Sequence, residues 1–174
     1  MNPTIVIKNK WFWAWQDEKE ETWLSEMARK GLHLEGIPFP GRYKFQKGEP
    51  ANYVYRLDYQ SLKSKDKESY LQLFEDAGWE HVGNMGGWVY FRIKTNDGEA
   101  PEIYSDTASK MGKYQRIMIY LVIFLPIMLV FRPDTPDHIG PFSIILSTLF
   151  TILLILYALA MVQLFRRMNQ LKGK

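Results

Sequence analysis

The chain has 174 residues, 47% hydrophobic and 24% charged, with a formal net charge of +3 and no cysteine. The lack of cysteine excludes disulfides, a thiolate metal site and a thiol redox switch, and fits a cytosolic location. Residues 1–116 carry 17 Lys+Arg against 17 Asp+Glu and the remainder carries 5 against 2, so the basic balance belongs to the C-terminal part and offers no support for a nucleic-acid-binding surface.

Taken in order, Ile5 to Trp15 reads as a strand, with Trp11, Trp13 and Trp15 on one face by the two-residue period of extended chain. Asp17 with Glu20 forms a capping-box pattern. The helix that follows places Trp23, Leu24, Met27 and Ala28 on one stripe, and Glu18, Glu20, Glu21 and Glu26 read as its solvated face. Gly31 sits where a left-handed C-cap is expected. Leu32 to Ile37, a turn at Pro38 to Gly41 and Arg42 to Gln46 form a hairpin. The strand Ala51 to Tyr59 puts Tyr53, Tyr55, Leu57 and Tyr59 on one face and Val54, Arg56 and Asp58 on the other. After the charged stretch SLKSKDKES comes a helix with Tyr70, Leu71, Phe74 and Ala77 as its apolar stripe, stopped at Gly78. An extended segment from Trp79 to Gly83, a tight turn from Asn84 to Gly87 and a strand from Trp88 to Lys94 complete the domain. Thr95 to Glu102 is a polar linker, and Ser105 or Asp106 is placed to cap a connector helix that runs into the apolar tail.

The two halves agree at an offset of 47: Trp23-Leu24 with Tyr70-Leu71, Gly31 with Gly78, Gly36 with Gly83, and Tyr43 with Tyr90. The expected fold is therefore α+β: a tandem βαββ repeat forming a mostly antiparallel sheet of about six strands with two helices on one face, followed by a two-helix transmembrane hairpin. Several strands are apolar or aromatic on both faces, so an uncovered sheet face is expected to meet a partner, a ligand or a second subunit in a homodimer. Trp11, Trp13, Trp15, Tyr53, Tyr55 and Tyr59 form the candidate partner or ligand surface.

The tail decides the topology. No charged residue lies between His138 and Arg166, a run long enough to cross the roughly 30 Å hydrocarbon core as a helix. The first run, between Arg116 and Arg132, spans if its flanking arginines snorkel, and Pro126 is expected to kink it. The expected organisation is a cytoplasmic domain at 1–103, a juxtamembrane helix at 104–116, spans at 117–131 and 142–165 around an external turn at 132–141, and a basic tail at 166–174. Lys110, Lys113 and Arg116 before the hairpin and Arg166 and Arg167 after it set both termini in the cytoplasm by the positive-inside rule. The segment MNPTIVIKNK carries no signal-peptide pattern. Ser147, Thr151 and Ala158 form a small-residue stripe suited to packing against other membrane helices.

Converging catalytic groups are sparse. At the repeat offset His33 and His81 fall on opposite sides of their strands, which disfavours a two-histidine metal site. His138 reads as a polar turn residue, the N-M-G-G turn as a hairpin rather than a phosphate loop, and Arg56, Asp58 and Arg92 as an ion-pair ladder across neighbouring strands. No nucleophile with a recognisable base stands out, so neither an enzyme nor a cofactor is expected.

The segments EKEETWLSEMARKGLHLEG, YVYRLDY, YLQLFEDAGWEHVGNMGGWVYFR and EIYSD resemble the Gram-positive bacterial membrane proteins grouped as domain of unknown function 2812. The resemblance implies a cytoplasmic domain followed by transmembrane helices, often encoded beside PadR-like transcription regulators, and it supplies no catalytic residues. The functional expectation is a membrane-anchored regulatory or sensory module that binds a protein partner, with a PadR-like transcription regulator as the expected partner. An accessory subunit of a membrane transporter and a membrane-tethered small-molecule-binding domain are the alternatives.

Overall fold

The computed structural model describes residues 4–60, 64–96, 102–104, 107–130 and 141–172. They divide into two compact units, Met1–Asp106 and Thr107–Lys174. The capping role of Ser105 and Asp106, His138 and the turn from Arg132 lie outside the described residues.

The first unit runs β1 (Ile5–Asn9), α1 (Asp17–Arg29), β2 (Leu32–Phe39), β3 (Arg42–Lys47), β4 (Tyr53–Tyr59), α2 (Ser64–Asp76), β5 (Glu80–Met85) and β6 (Trp88–Lys94). The helices start at Asp17 and Ser64 and end at Arg29 and Asp76, 47 residues apart at each end. Gly31 and Gly78 follow them with φ of +74° and +86°, the left-handed stop that glycine adopts without steric cost. The strand orders also correspond, β1-β3-β2 and β4-β6-β5, every pair antiparallel. Each half is a split βαβ unit whose returning strand sits between the two parallel ones.

The class is α+β, with the six strands divided between two three-stranded sheets rather than joined in one. β2 and β5 lie side by side, and a Cβ on Gly83 would stand 4.0 Å from Gly36 Cα. They do not form a ladder, because groups on the β2 edge are taken by side chains: the Leu34 N–H donates to Tyr55 Oη at 3.3 Å and the Leu34 carbonyl accepts from Arg92 at 3.3 Å.

The helices do not share a face. Tyr55, Leu57 and Tyr90 of the second sheet join Leu34, Tyr43 and Phe45 of the first and Trp23, Leu24 and Ala28 of α1 in one core. Val54, Val89 and Phe91 point the other way and pack with Phe74 of α2 and with Trp79. The second sheet is thus covered on both sides, which absorbs the two-faced apolar pattern of β4 and β6 inside the domain. Full burial of side chains this size contributes about 1.5–3 kcal/mol each.

β1 stops at Asn9, short of the expected Trp15, because its partner β3 begins at Arg42, the residue opposite Asn9. Beyond that point no ladder remains to hold an extended chain. Asp17 is the first helical residue rather than the cap; the N-cap is Gln16, whose Oε1 accepts from the Trp13 N–H at 3.2 Å.

In the second unit, α3 (Thr107–Val130) runs unbroken from the connector into the first apolar segment, and α4 is Pro141–Lys172. Both contain stretches long and apolar enough to cross a membrane, Ser109–Val130 and Pro141–Lys172. Ser143, Ser147, Phe150, Leu154, Tyr157, Met161 and Leu164 are among the less exposed positions along α4, with Ala160, Gln163, Arg167, Met168 and Leu171, and the first seven recur at the spacing of a helix seam. Thr151 and Ala158 are exposed, and the Thr151 hydroxyl bonds its own helix at the Ser147 carbonyl. The Tyr157 hydroxyl donates to the Leu121 carbonyl at 2.8 Å, one residue from Val122, whose carbonyl loses its usual donor at Pro126.

Candidate functional site

The candidate site forms where the N-terminus of α1 meets the segment after β1. Trp11 and Trp13 meet edge to face at 5.8 Å, and Trp13 stacks on Trp15 at 5.3 Å with the planes 4° apart. The three tryptophans therefore cluster without being a strand face. Trp11 remains 58% and Trp13 40% exposed, Trp11 packs over Gly41, and Phe39, two residues before Gly41 in the chain, is 66% exposed.

Beneath them, acids are buried. Asp17, Glu20 and Glu21 are all enclosed, against the reading of Glu20 and Glu21 as a solvated face. The Tyr43 and Tyr90 hydroxyls both donate to Glu20 Oε1 at 2.8 Å, joining α1 to both sheets. Burial, together with the nearby Asp17, raises the Glu20 pKa above its ordinary value, although the two hydroxyls work the other way. Burial and the Glu20 charge raise those of Tyr43 and Tyr90, which stay protonated donors. Glu21 Oε1 accepts from the Leu57 N–H at 2.8 Å, and Ser25 Oγ from the Tyr55 N–H at 3.4 Å. These two side chains cover the free edge of β4, a task that otherwise falls to another strand.

The three tyrosines of the candidate surface are dispersed. Tyr55 is fully buried, its pKa raised by that burial. Tyr53 lies under the Arg92 guanidinium at 4.8 Å and against His33, and Tyr59 packs edge-on against Trp88. Arg56, Asp58 and Arg92 do not form a ladder. Arg56 pairs with Glu102 at 3.1 Å, and Asp58 accepts from the Tyr70 hydroxyl at 2.7 Å and from Tyr104. Arg92, on the opposite face, pairs with Glu80 at 2.5 and 2.8 Å. Burial opposes the Arg92 charge, and the Glu80 carboxylate together with Tyr55 more than offsets it, so its pKa lies above the ordinary value.

His33 and His81 both border one polar cleft of about 380 Å³ at the β2–β5 seam, but His33 packs against Tyr53 and His81 against Phe91, which lie on opposite faces of the second sheet. His33 Nε2 is spent on the Glu49 carbonyl at 2.8 Å, and His81 Nε2 lies 3.1 Å from the Asn84 side-chain amide. Among the described residues no three His, Cys, Asp or Glu side chains are grouped to hold a metal.

In the second unit Lys110, Lys113 and Arg116 lie near the start of α3, and Arg166 and Arg167 near the end of α4. Arg167 Nε reaches the Tyr114 hydroxyl at 3.5 Å, which puts both basic groups at one end of an antiparallel helix pair.

The sequence model of the family described as "Protein of unknown function (DUF2812)" matches residues 16–125, more than half of the chain. The chain belongs to this family. No curated protein and no solved structure matches it. The DUF2812 match begins at the N-cap of α1 and ends within α3. It therefore takes in the buried acids, both sheets' central strands and the connector, and leaves Trp11, Trp13 and Trp15 outside.

Proposed function

We propose that this DUF2812 protein is a membrane-anchored cytoplasmic regulatory module that binds a protein partner through Trp11, Trp13 and Phe39, with a PadR-like transcription regulator as the partner. The observation that carries the reading is the exposure of these three large aromatic side chains, two of which, Trp11 and Trp13, meet edge to face. Large aromatics left in water at the centre of a surface patch are the residues that dominate protein interfaces. A binding role rather than catalysis is supported by the use of Glu20, Glu21 and Asp58 as internal acceptors holding elements together.

The test is co-purification of the full chain in detergent with the PadR-like regulator. Trp11→Ala with Trp13→Ala is expected to weaken the complex by about 2 kcal/mol, roughly thirtyfold, while the loss of the ring pairs with each other and with Trp15 lowers stability by about 1–2 kcal/mol and leaves the chain folded. Undiminished binding by the double variant would sink the proposed surface.

Orientation follows from the shared basic end of α3 and α4, which the positive-inside rule assigns to the cytoplasm. Because the chain lacks cysteine, single introduced thiols report sidedness. In intact cells Thr135→Cys is expected to react with a membrane-impermeant maleimide and Asn169→Cys only after permeabilisation. The reverse labelling would invert the topology.

A further inference from the structure

Between the exposed tryptophans and the buried acids lies a cavity of about 90 Å³, whose lining includes Trp11, Trp13 and Trp88 together with Asp17 and Glu20. Its volume is about three times the share of one liquid water, room for a group of a few heavy atoms and not for a nucleotide or a folded peptide.

Its chemistry is one-sided. Glu20 is only 7% exposed, and its hydrogen-bond donors, Tyr43 and Tyr90, are neutral and share a single oxygen, Oε1. Oε2 accepts no hydrogen bond among the described residues. Asp17 adds negative charge close enough to act on Glu20. Indole faces attract cations through their quadrupoles, tryptophan most strongly, and aromatic walls with a carboxylate are the arrangement that recognises alkylammonium groups. Phe12, which also lines the cavity, already carries one ammonium over its ring outside it: Lys10 Nζ lies 5.1 Å and 5.0 Å from the ring centroids of Phe12 and Trp23.

We propose that this cavity binds a small organic ammonium group, stacked against Trp11, Trp13 and Trp88 and paired with Glu20 Oε2. The site is independent of the protein-partner reading, although Trp11 and Trp13 border both. The ammonium belongs either to a free solute or to an aminated lipid headgroup. Binding selects ionised Glu20, so affinity rises with pH. The titratable groups facing Glu20 are Asp17 on its own helix, Tyr43 from β3 and Tyr90 from β6.

The experiment titrates tetramethylammonium and choline chloride into the full chain in non-ionic detergent, following tryptophan fluorescence, with sodium chloride as the ionic control. Saturable quenching by both ammonium ions and not by sodium is expected. Glu20→Gln, which keeps an acceptor for both tyrosines, is expected to weaken it at least tenfold and to remove its pH dependence. Trp13→Ala is expected to weaken it about threefold. Repeating the titration in phosphatidylglycerol nanodiscs with and without phosphatidylethanolamine identifies the source. Competition by the ethanolamine lipid assigns the site to a headgroup, and unchanged affinity assigns it to a free solute. Response equal to sodium chloride, or Glu20→Gln binding as well as the native chain, overturns the proposal. Glu20→Gln retaining its regulator keeps that outcome separate from the partner surface.

Discussion

Gly31→Ala is expected to cost about 3 kcal/mol and to lower the thermal midpoint of the full chain by about 10 °C, whereas Gly78→Ala, its repeat counterpart, costs about 1 kcal/mol. Both glycines have positive φ, +74° and +86°, and a side chain there meets its own carbonyl at a cost of about 1–2 kcal/mol. The surroundings differ. A Cβ on Gly31 would fall 2.3 Å from the Gly48 carbonyl oxygen, while one on Gly78 meets only Ile93 Cδ1 at 3.6 Å. The Gly48 backbone cannot readily retreat, since its N–H donates to the Gly31 carbonyl at 2.8 Å and the nearby Ala51 N–H donates to Ala28 at 3.1 Å. Moving a packed backbone adds about 1–3 kcal/mol. Paired melts of the two variants in detergent measure the difference, and equal losses would show that the close approach at Gly48 is not a constraint.

What the sequence disclosed follows from what local pattern encodes. The helices and their glycine stops depend on residues within one or two turns, and their equivalence at offset 47 was legible for that reason. Strand partnership was not. The tryptophan alternation runs to Trp15, but β1 lasts only as long as β3 lies opposite it, and that limit sits at the β2–β3 turn. The single six-stranded sheet failed at Leu34, whose N–H and carbonyl are satisfied by Tyr55 and Arg92 from the other repeat. A seam closed by long-range side-chain bonds leaves no periodic trace.

The candidate site was half visible. The two-residue spacing marks Trp11, Trp13 and Trp15, whereas the charge of Glu20 and Glu21 points them to solvent. A signal was present: Asp17, Glu20, Glu21, Leu24, Ser25 and Ala28, all buried, recur at the three- and four-residue spacing of one helical stripe. The reason for burying acids there lies in β4, whose edge amides need acceptors, and in Tyr43 and Tyr90, whose hydroxyls need one. Neither requirement is local to α1.

That requirement makes Glu20 the other position with a large expected effect. Glu20→Ala leaves two buried hydroxyls without their acceptor, at about 1–3 kcal/mol each, so a loss of about 3 kcal/mol is expected. Glu20→Gln keeps an oxygen for both and removes a charge that burial disfavours, so it is expected to match or exceed the native chain at neutral pH. The pH dependence fixes the sign. The folded-state pKa of Glu20 is raised above its ordinary 4.5, so the folded protein holds this proton more tightly than the unfolded chain. The stability it contributes is complete below that ordinary value and is lost as pH rises through the folded-state pKa. Glutamine has no proton to lose. The stability of Glu20→Gln minus that of the native chain should therefore grow as pH rises above 4.5, since all other titrating groups are common to both proteins. Thermal melts of the full chain across this range measure the difference. A difference that stays flat would return Glu20 to its ordinary pKa, and with it remove the case for a buried carboxylate held without a cation.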